Sequence, residues 1–176
     1  MTLVERIAAL PDLAGARFLL IGGHAVNALG RTRATLDWDF MVAKTAFERW
    51  KLALGTLGYS VWHLASAFAQ FKEPPDLPPV DLMMVDDTTF EKMFSASRVI
   101  EVGGVEIRVP CAPHLVALKL HAAASTYRED RSKDMEDIYA IVRRNNLSTD
   151  DPAFRELVEK YGGDSAVRLI REHERD

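Results

Sequence analysis

Asp37 and Asp39, in the string "TLDWDFMV", stand two residues apart in an otherwise apolar run. In a strand alternate side chains share a face, so both carboxylates emerge on one side, about 6.6 Å apart along the chain. Leu36, Trp38 and Phe40 take the other side. A second run, "VDLMMV", places Asp81 beside Met83 and Val85 and opposite Leu82 and Met84. If the two strands are neighbours, three carboxylates meet on one patch, where repulsion raises at least one pKa unless cations bind. Hard divalent cations with oxygen ligands are the usual resolution. A strand end with acids in water is the plainer meaning of D-x-D taken alone.

Gly22-Gly23 falls between an expected strand and an expected helix. There glycine lets the backbone approach a ligand, and the helix start offers free N–H groups to phosphate. No G-x-x-x-x-G-K-[ST] and no G-x-G-x-x-G is present, which excludes a Walker NTPase and a dinucleotide-binding Rossmann unit. On a helix expected from Pro113, Lys119 lies among Leu115, Val116, Ala122 and Ala123, so its ammonium emerges from an apolar face. It either snorkels to water or reaches a phosphate. In "SKDMEDI", Asp134 shares a face with Ile138 and Ile141, while Asp137 is expected to turn outward; charge complementing the helix dipole is the alternative role for Asp134. His114 and His121 lie about 10.5 Å apart along a helix axis, too far to share a metal. His24 reads as an ordinary packed histidine, with a nucleotide contact as the alternative.

The elements that must hold these residues follow from periodicity. Residues 2 to 10 are spaced like a short amphipathic helix, and "ARFLLI" at 16 to 21 reads as a buried strand. "GHAVNALG" predicts a helix closed by Gly30, "TLDWDFMV" the second strand, and "TAFERWKLALGTLG" a helix with Thr45 as N-cap and Gly58 near its stop. Two extended runs follow around 59 to 64 and 67 to 72, then a proline-rich loop, "EPPDLPP". "VDLMMV" at 80 to 85 is a third strand, "DTTFEKMFS" a short helix, and "RVIEVGGVEIRV" a hairpin about Gly103-Gly104. Helices are expected at about 113 to 127, 131 to 144, 151 to 160 and 164 to 174. The fold class is α/β or α+β: a mixed sheet with flanking helices over 1 to 111, and a helical part over 112 to 176.

With 176 residues, 48% hydrophobic and 27% charged, the chain can bury a real core. No run approaches the roughly 18 apolar residues of a membrane span, and Glu5 interrupts any signal peptide, so a cytoplasmic protein is expected. The single cysteine, Cys111, excludes an internal disulfide and a cysteine zinc cluster, and reads as a core filler. The net charge of -4 argues against a general polyanion binder. Residues 1 to 72 nevertheless hold eight Lys or Arg against five Asp or Glu. That locally basic part, with Arg31 and Arg33 before the acids, suits a small anionic ligand better than a long nucleic acid.

The string G-G-H-A-V, the following R-x-T-x-D-x-D and the later V-D-L resemble the DNA polymerase β-like nucleotidyltransferase superfamily over roughly residues 16 to 142. The chain is most similar there to small bacterial abortive-infection and toxin-antitoxin nucleotidyltransferases, and to aminoglycoside nucleotidyltransferases. The resemblance implies a nucleotidyltransferase core using two Mg2+ ions to move an NMP from an NTP to a hydroxyl acceptor. By position it implies metal and catalytic roles for Asp37, Asp39 and Asp81, and nucleotide binding by Gly22, Gly23, Arg33, Thr35, Lys119 and Asp134. Many relatives carry serine in the turn, where Gly23 offers only backbone. A toxin of this kind implies a cognate antitoxin as partner. A transfer RNA end, a protein side chain and a small aminated sugar all present suitable acceptor hydroxyls. The rival readings are a catalytically inactive nucleotide-binding or interaction protein of the same fold, and an unrelated metal-dependent hydrolase.

Overall fold

The computed structural model describes residues 1–124 and 132–174. These fall into two compact units, one formed by Met1–His24 with Ala34–Pro110, the other by Ala25–Arg33 with Cys111–Asp176. Residues 25–33 thus group with the C-terminal segment.

The first unit is built on a five-stranded mixed sheet. Its strands are β1 (Leu19–Leu20), β2 (Trp38–Ala43), β3 (Ser60–Leu64), β4 (Phe68–Lys72) and β5 (Val80–Val85), in the order β1-β2-β5-β4-β3. β2 and β5 are parallel, and the other pairs are antiparallel. β6 (Arg98–Val102) and β7 (Val105–Val109) form a separate hairpin. Helix α1 (Leu3–Ala8) opens the chain with a capping box between Thr2 and Glu5, which satisfies two otherwise unpaired N–H groups. α3 (Phe47–Thr56) and α4 (Asp87–Ser95) also belong to this unit. Asp86 caps α4 by accepting from the Thr89 N–H. Thr45 is not the cap of α3: it lies in a 3-10 turn at Lys44–Ala46, and its hydroxyl donates to Asp87 at 2.9 Å.

Two strands differ from expectation. β1 keeps only two of six expected residues: the Ile21 N–H still donates to the Asp39 carbonyl, and the chain then turns at Gly22, whose φ is 61°. β2 starts at Trp38, whose N–H donates to the Pro79 carbonyl, so Asp37 lies just before the ladder and Leu36 is 79% exposed.

Between these elements, α2 (Gly22–Leu29) begins in the first unit and continues in the second. The second unit otherwise comprises α5 (Ala112–Ala123), α6 (Ser132–Arg144) and α7 (Pro152–His173). The stretches of 113–127 and 131–144 that fall on 125–131 lie outside the described residues. Apolar residues three and four apart bury one stripe of each helix: Leu115, Val116 and Leu120; Ile138, Ile141 and Val142; Phe154 and Val158. Asp151 caps α7, with Pro152 in its first turn. The two helices expected at 151–160 and 164–174 join across a kink at Gly163, whose φ of 70° suits glycine. Among the described residues, no helix is long and apolar enough to cross a membrane.

The core face of the sheet packs around Trp50, which is fully buried with Phe18 and Phe40 at ring-centroid distances of 5.0 and 5.3 Å. Trp50→Ala should cost about 3–5 kcal/mol, read as a lower urea midpoint at unchanged m-value. A loss below about 1 kcal/mol would show that this cluster does not anchor the unit.

Candidate active site

Asp39 on β2 stands directly opposite Asp81 on β5. Neighbouring strands lie about 4.8 Å apart, so the two carboxylates rise side by side. The alternate residues Phe40 and Leu82 are fully buried on the other face. Asp37 is exposed just before β2. Asp81 shows the strain of this arrangement: its carboxyl is pushed up to about 6, first by burial and then by the charge of Asp39. A hydrogen bond from Gln70 opposes the rise, and the charge of Asp37 adds to it.

The glycine turn abuts these acids. Gly22 has a φ of 61°, and a β-carbon there would overlap the Asp39 carboxylate, so two constraints demand glycine. A β-carbon at Gly23 would overlap the Thr35 hydroxyl. The hydroxyl that a serine would bring to the turn is thus matched by one approaching from residue 35. His24 stacks on Trp38 with centroids 3.9 Å apart, which locks the first turn of α2 to the segment between the acids.

Among the described residues, no group of three or more acidic, histidine or cysteine side chains is gathered closely enough to hold an ion alone. The donor chemistry nonetheless fits a hard divalent cation: paired carboxylate oxygens, one of them reluctant to ionise without a cation. Such an ion would keep ligands from outside the protein, as Mg2+ usually does.

In the second unit, charge is resolved differently. Asp137 is fully buried and accepts from Arg33 Nε and Nη2, both at 3.0 Å, and from Arg31 Nε at 3.1 Å. Lys119 lies 2.9 Å from Asp137 and 3.1 Å from Asp134. Burial alone would pull the Asp137 carboxyl up, but the hydrogen bonds and charges of Arg33 and Lys119 hold it below the ordinary value. Asn27 fixes the Arg33 backbone with two hydrogen bonds, and Asn145 donates to the Leu29 carbonyl. These contacts explain why 25–33 belongs to this unit. Asp137 does not turn outward, and Lys119 does not snorkel: both are buried partners. The spacing of Asp134 and Asp137 at i, i+3 was the sequence signal for a shared face.

Solved nucleotidyltransferase structures share the fold of this chain. The crystal structure of ANT(2")-Ia in complex with adenylyl-2"-tobramycin is similar at 18% identity, covering 88% of this chain and 95% of that one, with a TM-score of 0.63. The lincomycin-bound lincosamide antibiotic adenylyltransferase LnuA is similar at 14% identity, over 84% of this chain and 99% of that one, with a TM-score of 0.56. At such identities the likeness shows the fold. No curated protein matches the chain. The family model "Nucleotidyl transferase AbiEii toxin, Type IV TA system" matches residues 8–176, and the chain belongs to this family of nucleotidyltransferase toxins.

Ionising Asp81 costs more in the folded chain than in the unfolded one. Its stabilising contribution is full below the ordinary carboxylate pKa and is lost as pH rises through about 6. Without divalent cations, Asp81→Asn should therefore raise the thermal midpoint at pH 8 and change it little at pH 4. Equal shifts at both pH values would contradict the electrostatic account. Asp137 has the opposite sign: its contribution is present above the ordinary carboxylate pKa and lost as pH falls through its depressed value. Asp137→Ala leaves buried cations uncompensated and should cost about 3–5 kcal/mol in urea unfolding at pH 7.

Proposed function

We propose that this chain transfers a nucleoside monophosphate from an NTP to a hydroxyl acceptor, releasing pyrophosphate. The observation that carries the proposal is the register of Asp39 against Asp81, with the Gly22 backbone seated on the Asp39 carboxylate at the start of a helix. Membership of a nucleotidyltransferase toxin family supports it, as does the fold shared with two antibiotic-modifying proteins.

In this reading the N–H groups of Gly22 and Gly23, at the positive end of α2, bind phosphate oxygens, and the Thr35 hydroxyl donates beside them. Asp39 and Asp81, with Asp37 next to them, hold Mg2+. When bound, Mg2+ supplies charge neutralisation at the phosphates and lowers the pKa of the acceptor hydroxyl. Asp81 takes the proton from that hydroxyl as its oxygen bonds to the α-phosphorus and the bond to the β-phosphate oxygen breaks. A carboxyl titrating near neutrality suits such a transfer. Arg33, Lys119 and Asp134 enter through the sequence resemblance alone, as groups serving the nucleotide. A cognate antitoxin and a cytoplasmic setting complete the proposal.

Incubation with α-labelled NTPs, Mg2+ and a desalted cell lysate tests it. Wild-type protein should release pyrophosphate and incorporate label, and Asp39→Asn should reduce both by about a thousandfold or more while keeping its thermal midpoint. Transfer by Asp39→Asn at a near wild-type rate would rule out the mechanism. Nucleotide binding by the wild type without pyrophosphate release would rule out the activity.

A further inference from the structure

The carboxylate pair is one end of a longer row. Asp39 stands opposite Asp81, Asp81 opposite Gln70 on β4, and Gln70 opposite His63 on β3. Register partners on neighbouring strands share a face, so four polar side chains cross four strands in a line about 14 Å long. The hydrogen bond from Gln70 to Asp81 fixes the direction of the inner members. The next ladder positions, Phe40, Leu82 and Ala69, are all fully buried on the opposite face. His63 is exposed on the edge strand of the sheet. Between Val61 and His63 the register shifts, which takes Trp62 out of the ladder and leaves it 76% exposed. Bulges of this kind re-aim side chains at sheet edges and beside active sites.

The sheet also gives the site a direction. Gly22 abuts Asp39 and follows β1, whereas Gln70 and His63 lie beyond Asp81 on the other flank. If nucleotide transfer is the reaction, as proposed above, the leaving pyrophosphate lies at the glycine turn. In-line displacement sets the attacking oxygen opposite the leaving one, so the acceptor enters from the flank of β5, β4 and β3.

We propose that Gln70 and His63 are specificity-determining residues that bind the acceptor along this row. Amide and imidazole both donate and accept hydrogen bonds, so together they recognise polar groups of the acceptor one and two strand spacings from the hydroxyl held at Asp81. Neither residue belongs to the nucleotide side of the site.

The test varies the two substrates separately, using an α-labelled NTP and a desalted bacterial lysate as the source of hydroxyl acceptors. Loss of one acceptor hydrogen bond in His63→Ala or Gln70→Leu should raise the amount of lysate needed for half-maximal incorporation about tenfold, with the NTP requirement within about twofold of wild type. An unchanged lysate requirement in both variants, with wild type active, overturns this proposal alone. A rise in the NTP requirement as large as that for lysate overturns it too, because it assigns the row to the nucleotide. Absence of incorporation by the wild type defeats nucleotide transfer itself, and this proposal with it.

Discussion

Two like charges on adjacent parallel strands are the constraint around which the first unit is arranged. At an effective dielectric of about 20, two unit charges roughly 5 Å apart repel by roughly 3 kcal/mol. The fold tolerates this at Asp39 and Asp81 because every neighbouring choice concentrates the cost there. The opposite face is fully apolar, the strands are in perfect register over six positions, and the turn before α2 presses backbone against one carboxylate. The outcome is a carboxyl whose ionisation is delayed to about pH 6, an uncommon displacement for an acid with no structural need of it.

The second unit contains the same kind of group with the reverse solution. Asp137 is more deeply buried than Asp81, yet it stays ionised because three cations surround it. The contrast separates two meanings of a buried acid. One is a neutralised knot that ties residues 31–33 to α6 and α5; the other is an open electrostatic demand that an external cation can meet. Burial alone does not distinguish them, whereas the sign of the neighbours does.

Much of this was legible in the sequence. The strand "VDLMMV" and the turn at Gly22-Gly23 were readable because continuous apolar length and paired glycines leave few alternatives. The structure makes β2 and β5 neighbours, which sets Asp39 opposite Asp81, while Asp37 stays outside the ladder. What escaped was set by distant partners. The Pro79 carbonyl decides where β2 begins, which puts Asp37 before the strand. Thr45 met Asp87 from another helix and gave up its capping role. Asp137 turns inward to partners, Arg31 and Arg33, that lie more than a hundred residues away and leave no local trace. The row from Asp81 to His63 needs the order of β5, β4 and β3, which no local pattern encodes.

At Gly23 two segments meet almost backbone to backbone: a β-carbon there would lie 2.3 Å from the Thr35 hydroxyl oxygen and 2.7 Å from the Thr35 β-carbon. Removing the hydroxyl at 35 therefore makes no room at 23, and any side chain at 23 obliges one segment to retreat from the other. The spacing between the glycine turn and the strand that carries the acids is thus set by the absence of a single carbon atom.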